Sequence, residues 1–360
     1  MKKLLLLLIS LTLCGCWNYK ELNYLSIVSG IALEKSNDEY ILGIQIINTQ
    51  EKNNNFITLK TKGKTVHEAL NNISLISSKK VYIGHNKLFI IDEKIAKEGI
   101  EQIIDFLMRE PESHKQFQVL IAKNKTLNIL ENIPAKDILL LLEVASKQKG
   151  NITKVTYDEL LSNIHKVGIE PVIPVIELND TNKITLIGMS VFKGDKLLGY
   201  LNYNESLGFN LIRNNVKKDV ISFKCDSNNY GSFEIVTLNT SFSIKIVNDN
   251  PFVNIDTIGS LYLSEINCDL DISKNSERKK LMGIINQQMK EIIKNTIETV
   301  KNEYNTDIFG FGYYLYQNNY QYWKNNHSNW NNLFKNIAYK INVDLNISKK
   351  GSILEPAKEG

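Results

Sequence analysis

A chain of 360 residues that is 43% hydrophobic and 23% charged can bury a sizeable core, which excludes a disordered coil, a collagen-like repeat and an acidic tail. At about 100–200 residues per domain, the length points to two or three domains. The 43 basic and 39 acidic side chains leave a formal charge of +4, too balanced for a charge-driven nucleic-acid binder.

The chain opens with Met1-Lys2-Lys3, an apolar run from Leu4 to Leu13, and then Cys14-Gly15-Cys16. Crossing a bilayer takes about 20 apolar residues, so a basic pair before a run of about ten reads as a secretory signal rather than a span. Leu13 at −3, Gly15 at −1 and Cys16 at +1 resemble the bacterial lipobox, which makes Cys16 the expected lipidated N-terminus. Two acyl chains there hold a protein stably on a membrane. Residues 1–15 are thus a signal peptide, and the body is expected outside the cytoplasm. Cys225 and Cys268 remain. That location permits a disulfide between them, but a chain of this size needs no staple, and free buried thiols are the favoured reading.

In chain order, Ser26 to Leu33 and Tyr40 to Asn48 alternate as a hairpin, and Phe56 to Thr61 forms a third strand. Thr65 and Glu68 have the spacing of a capping box, with Ala69, Leu70, Ile73 and Ile76 on one helical face. Val81 to Ile91 reads as one alternating strand around Gly84-His85-Asn86-Lys87. Asp92 caps a second helix carrying Ile95, Ile100, Ile103, Ile104 and Leu107. Gln118 to Ala122 and Val172 to Leu178 read as strands, with helices over Ala135 to Lys147 and Tyr157 to His165 between them. Ile184 to Leu201 is a hairpin turning at Gly194-Asp195. Strands near Val220 to Lys224, Ser232 to Val247 and Val253 to Leu270 precede a helix of about 28 residues from Ser276. An aromatic segment, Phe309 to Trp330, then leads to a strand from Asn336 to Ile347. Irregular alternation of this kind favours a multidomain α+β fold of mixed, mostly antiparallel sheets flanked by helices. The expected division is an N-terminal domain over 16–182, a hairpin and connecting segment over 183–215, and a C-terminal domain over 216–360 with its long helix near 276–303.

Chemistry is sparse. His67, His85, His114, His165 and His327 stand apart, without the spacings that hold zinc. Gly188-Met189-Ser190-Val191-Phe192 lacks the second glycine of a nucleophile elbow. Asp307, beside Gly310-Phe311-Gly312, reads as a cap or turn residue, and Arg109 as a solvated residue at a helix C-terminus. The Tyr and Trp residues of the aromatic segment, Trp323 and Trp330 among them, read as core and rim. An interface with a partner or with lipid headgroups is the alternative. No catalytic constellation, metal site or cofactor site is indicated.

The motifs in sum resemble the Ger(x)C family of spore germination proteins. They are Gly15-Cys16-Trp17; Gly63 with Thr65 and Glu68-Ala69-Leu70; Gly84-His85-Asn86-Lys87; and Phe106-Leu107 with Arg109. Further on come Gly188, Val191 to Leu197, Gly199, Leu201 and Glu205, then Asp307 to Gly312, Trp323-Lys324, Trp330 and Phe334. Asn18, His114 and Asn331 depart from the family's usual residues. The resemblance implies a mixed α/β lipoprotein without enzymatic activity, the C subunit of a nutrient germinant receptor on the outer face of the inner spore membrane. Its implied partners are integral A and B subunits, with the germinant bound by B. Trp17, His85, Arg109, Glu205, Asp307, Trp323 and Trp330 are the candidate interface positions. The alternatives are a solute-binding lipoprotein of an uptake system and, after it, a surface hydrolase.

Overall fold

The computed structural model describes residues 24–48, 56–179, 181–225, 229–268 and 270–348. Among them a hairpin, β1 (Leu25–Ser36) and β2 (Glu39–Ile47), turns through Asn37 and Asp38, both at positive φ (49° and 62°). This two-residue geometry matches the twist of the flanking strands. β3 (Phe56–Gly63) adds to β2, and α1 (Val66–Asn72) follows. Thr65 Oγ1 accepts from Glu68 N (3.1 Å), but Glu68 Oε2 takes the amide of Lys64 (2.7 Å) rather than that of Thr65. The expected capping box is therefore displaced by one residue on its acidic side.

The single strand expected over Val81 to Ile91 is two: β4 (Lys80–Tyr82) and β5 (Leu88–Asp92). Between them Asn86 N bonds to Ile83 O (2.9 Å), closing a turn over Ile83 to Asn86. Asp92 caps α2 (Glu93–Glu98) through Lys94 N (2.9 Å). The expected continuous helix breaks at Gly99, which stands at φ 133°, before α3 (Glu101–Arg109). β6 (Gln118–Ala122), α4 (Thr126–Asn132), α5 (Ala135–Gln148), α6 (Tyr157–His165) and β7 (Val172–Leu178) lead to a hairpin of β8 (Ile184–Lys193) and β9 (Lys196–Leu201). All nine strands belong to one mixed sheet with the path β3-β2-β1-β5-β6-β7-β8-β9, β4 pairing with β1 off the path. The centre, β1-β5-β6-β7, is parallel, and both flanks are antiparallel. Side chains alternate between two faces: Phe89 and Ile91 join α1, α2, α3 and α6, whereas Leu88 and Ile90 join α4 and α5. Burial on both sides explains the nearly continuous apolar run of the central strands.

The hairpin expected within a separate connecting segment, 183–215, thus extends the first sheet, and it also belongs to the second half. Phe192 and Leu197 enter the core beneath α3. Met189, Val191 and Leu201 enter the large C-terminal core. The segment after it holds α7 (Tyr203–Ile212), buried throughout from Ser206 to Ile212. A helix covered all round shows no amphipathic period, so its pattern does not announce it.

The second sheet is β10 (Val220–Lys224), β11 (Tyr230–Val247), β12 (Asn250–Ile266) and β13 (Ala338–Ile347), in that order, with β13 parallel to β12. The long α8 (Asn275–Thr299) lays Leu281, Ile285, Met289, Ile292, Ile293 and Ile297 on this sheet and ends in a π-helical turn, Val300–Tyr304. α9 (Phe311–Asn318), α10 (Tyr320–Asn326) and α11 (Trp330–Lys335) carry the aromatic segment. Cys225 and Cys268 are joined in a disulfide with Cα atoms 5.8 Å apart, which corrects the favoured reading of free thiols. Pairing of β10 with β11 and of β11 with β12 brings the ends of two strands distant in sequence together.

Two stability predictions follow from these contacts. Closing a loop across 43 residues contributes about 4 kcal/mol by chain entropy alone, so reduction under native conditions is expected to lower the urea midpoint by an amount equivalent to about 2–4 kcal/mol. α7 crosses α8 at Gly208, where a Cβ would sit 2.8 Å from Thr296 Cβ and 2.9 Å from Ile292 O. Gly208→Ala is expected to destabilise by about 1–3 kcal/mol through overpacking, read as a shift of the same midpoint without a change of slope.

Candidate functional site

Asp307 stands at the joint between the halves. Its carboxylate accepts four backbone amides: Phe309 N (3.1 Å), Gly310 N (2.9 Å) and Phe311 N (3.2 Å) on Oδ1, and Gly312 N (2.7 Å) on Oδ2. A fifth donor, Trp330 Nε1, reaches Oδ2 at 3.2 Å. These bonds fold residues 307–312 into the cap of α9. Gly310 stands at φ 81°, and a Cβ on Gly312 would lie 2.7 Å from Trp323 Cζ3 and 2.8 Å from Trp330 Cε2. The left-handed turn and the close approach of the two indoles both require glycine.

The same loop binds the rest of the molecule. Glu170 N donates to Asp307 O (2.9 Å), and Tyr313 N donates to Gly168 O (2.8 Å), tying it to the segment before β7. Arg213 Nη1, at the end of α7, donates to Phe309 O (2.9 Å). Thr306 Oγ1 donates to Phe192 O of β8 (3.3 Å). With 3% of its surface exposed, Asp307 has its carboxyl pushed up to about 6 by burial, the amides of Gly310, Phe311 and Gly312 and the Trp330 indole opposing the rise. Its donors are backbone amides and one indole, so the arrangement holds the loop in place.

Glu205 has a similar role. Its Oε2 accepts Asn202 N (2.8 Å), while Asn202 Oδ1 accepts Glu205 N (3.0 Å), a capping box at the start of α7. Thr299 Oγ1 donates to Glu205 Oε1 (3.1 Å) and Thr296 Oγ1 to Glu205 O (3.2 Å), linking that cap to α8. Tyr304, following α8, packs its ring against Gly199 and donates its hydroxyl to Tyr200 O (2.9 Å).

Of the candidate interface positions, the structure brings Asp307, Trp323 and Trp330 together. It buries all three, and the two indoles stack edge to face, centroids 5.5 Å apart. His85 and Arg109 are exposed, on opposite faces of the first sheet. His85 edges a shallow apolar groove with Ile47, Leu139 and Leu140, rimmed by Lys87, Lys136 and Lys154. Arg109 pairs with Asp105 (2.9 Å) beside a groove of about 840 Å³ lined by Tyr40, His67, Gln102 and Phe106. Cys16 and Trp17 lie outside the described residues. Arg213, Glu170 and Gly168 complete the joint without any signal in the sequence, because they bond to backbone groups more than 90 residues away. Among the described residues there is no cluster of His, Cys, Asp and Glu fit for a metal, and no helix long and apolar enough to cross a membrane.

Because folding raises the Asp307 pKa from 3.8 to about 6, the native state binds the extra proton between those values. The stability this group contributes is full below about pH 4 and is lost as pH rises through 6. Asp307→Asn puts an amide NH2 in place of an acceptor oxygen and so leaves at least two of the five donors, Gly312 N and Trp330 Nε1 on Oδ2, without their acceptor. It is expected to cost about 1–3 kcal/mol at pH 7 and to abolish that part of the pH dependence. Urea midpoints of variant and parent compared from pH 4 to 7 check both.

Residues 18–178 match the spore germination protein N-terminal domain, and residues 187–351 the spore germination B3/GerAC-like C-terminal domain. Among curated proteins, spore germination protein KC of Bacillus subtilis is 25% identical, the match covering 87% of this chain and 86% of the relative. Spore germination protein B3 of the same organism is 24% identical over 82% and 83%. Spore germination protein GerQC of Bacillus cereus is 23% identical over 84% and 86%. The crystal structure of the GerBC protein superimposes with a TM-score of 0.62 at 19% identity, covering 92% of this chain and 99% of that one, and so shares the fold. With both domains matched in order, the chain belongs to the Ger(x)C family of spore germination proteins.

Proposed function

We propose that the chain is the C subunit of a nutrient germinant receptor, held by lipid on Cys16 at the outer face of the inner spore membrane. There it assembles with integral A and B subunits. The end-to-end similarity to spore germination proteins carries the reading, and Leu13-Cys14-Gly15-Cys16 upstream of β1 supports the anchor. A non-enzymatic scaffold accords with a buried acid spent on capping and with a body built to hold two cores against each other. The two sheets differ in size and strand order, unlike the paired similar lobes of a solute-binding lipoprotein, so nothing favours that second reading.

Spores lacking the gene are expected to lose dipicolinate release in response to particular nutrients while still responding to a receptor-independent trigger. Unchanged release to every nutrient would count against the receptor role. Cys16→Ala is expected to leave the melting temperature unchanged but to move the protein from the membrane to the soluble fraction. Retention of that variant on membranes would sink the anchor.

A further inference from the structure

The strands of the first sheet that run parallel to β1 all begin at one end of the molecule, and the chain from Cys16 enters there through Tyr24. β1 pairs in parallel with β4, Leu25 opposite Lys80, and with β5 and through it β6. Antiparallel β2 ends on this side at Ile47, and β3 begins here at Phe56. α1 carries the chain back from Gly63 at the far end, and the single 3₁₀ turn after it, Ile73–Leu75, projects beside β4.

This end collects exposed apolar side chains that no core uses. Leu75 is 80% exposed and Tyr24 70%, and Ile76, Ile47 and Ile57 are exposed as well. The projecting turn is ordered by its own bonds. Ile73 is fully buried, its carbonyl accepts Ile76 N (3.1 Å) and Ser77 N (2.9 Å), and Ser77 Oγ donates to Lys79 O (2.7 Å). Leu75 and Ile76 are thereby held outward on a fixed support. Lys79 is exposed two residues past Ser77 and Lys87 is exposed just before β5, while Lys80 pairs with Glu112 (3.1 Å) and Glu110 lines the groove below.

The length of the tether selects the occupant. Cys16 precedes Tyr24 by eight residues, a span of at most about 29 Å, whereas a body of this size is roughly 50 Å across. A chain fixed to a bilayer at Cys16 therefore keeps this end, rather than the far one, against the lipid.

We propose that this end rests on the membrane. Leu75, Ile76 and Tyr24 enter the headgroup layer, and Lys79 and Lys87 meet lipid phosphates, giving the subunit a second contact that fixes its orientation. The proposal rests on the anchor reading of Cys16.

The chain from Cys16 onward has one thiol outside the Cys225–Cys268 disulfide, Cys16 itself. It can therefore be coupled to a maleimide phospholipid in vesicles of phosphatidylcholine and phosphatidylglycerol. With brominated acyl chains present, the added emission of Leu75→Trp is expected to fall by about twofold on coupling, while that of Val236→Trp, on the second sheet, stays constant. No quenching at position 75, or equal quenching at both positions, overturns the proposal. Chemical coupling supplies the tether whether or not the cell lipidates Cys16, so this result is separate from fatty-acid labelling of Cys16, which tests the anchor. Absence of quenching combined with loss of the A and B subunits from Leu75→Glu complexes would assign the patch to a protein partner and would likewise overturn it.

Discussion

A buried carboxylate must be satisfied or it destabilises what surrounds it. Asp307 meets that demand with four consecutive amides and one indole, and the rest of the structure depends on the loop this creates. The loop's outward groups receive the segment before β7, the end of α7 and the strand β8. A single polar cluster therefore fixes the relative position of elements drawn from both matched domains. Burial also makes the loop costly to ionise, which is why its carboxyl sits so far above the ordinary range.

The hairpin of β8 and β9 performs the same joining in apolar terms. A strand presents alternate residues to opposite sides, so Phe192 and Leu197 serve one core while Met189, Val191 and Leu201 serve the other. Its turn reaches further: Asp195 O accepts Ile100 N (3.0 Å) and Asp195 Oδ2 accepts Glu101 N (3.3 Å) at the start of α3. Two domains that share a strand pair, a helix cap and a polar loop have little freedom to hinge there. Such stiffness suits a part whose proposed role is to hold its neighbours in register.

Much of the fold was legible because it is written in local chemistry. The Asn-Asp and Gly-Asp turns, the Asp92 and Thr65 caps and the period of Leu281 to Ile297 each depend on residues within one turn or one strand of each other. α7 was hidden because full burial erases the amphipathic period. At the break, Gly99 at φ 133° ends α2, and the carboxylate that takes Glu101 N at the start of α3 belongs to Asp195, 94 residues away, which no local pattern shows. The disulfide depended on strand pairing that brings Cys225 to Cys268 across 43 residues, which no spacing rule supplies.

The candidate site divides in the same way. The sequence by itself determined the family and the capping character of Asp307, because each is a matter of residue type in local order. Only the tertiary structure decided that Trp323 and Trp330 pack on each other and on Gly312, and that Glu205 links α7 to α8. It alone gathered Tyr24, Leu75 and Ile76 at one end of a sheet. Burial and proximity depend on how distant segments pack, and a linear pattern carries that information only where the contacts are local.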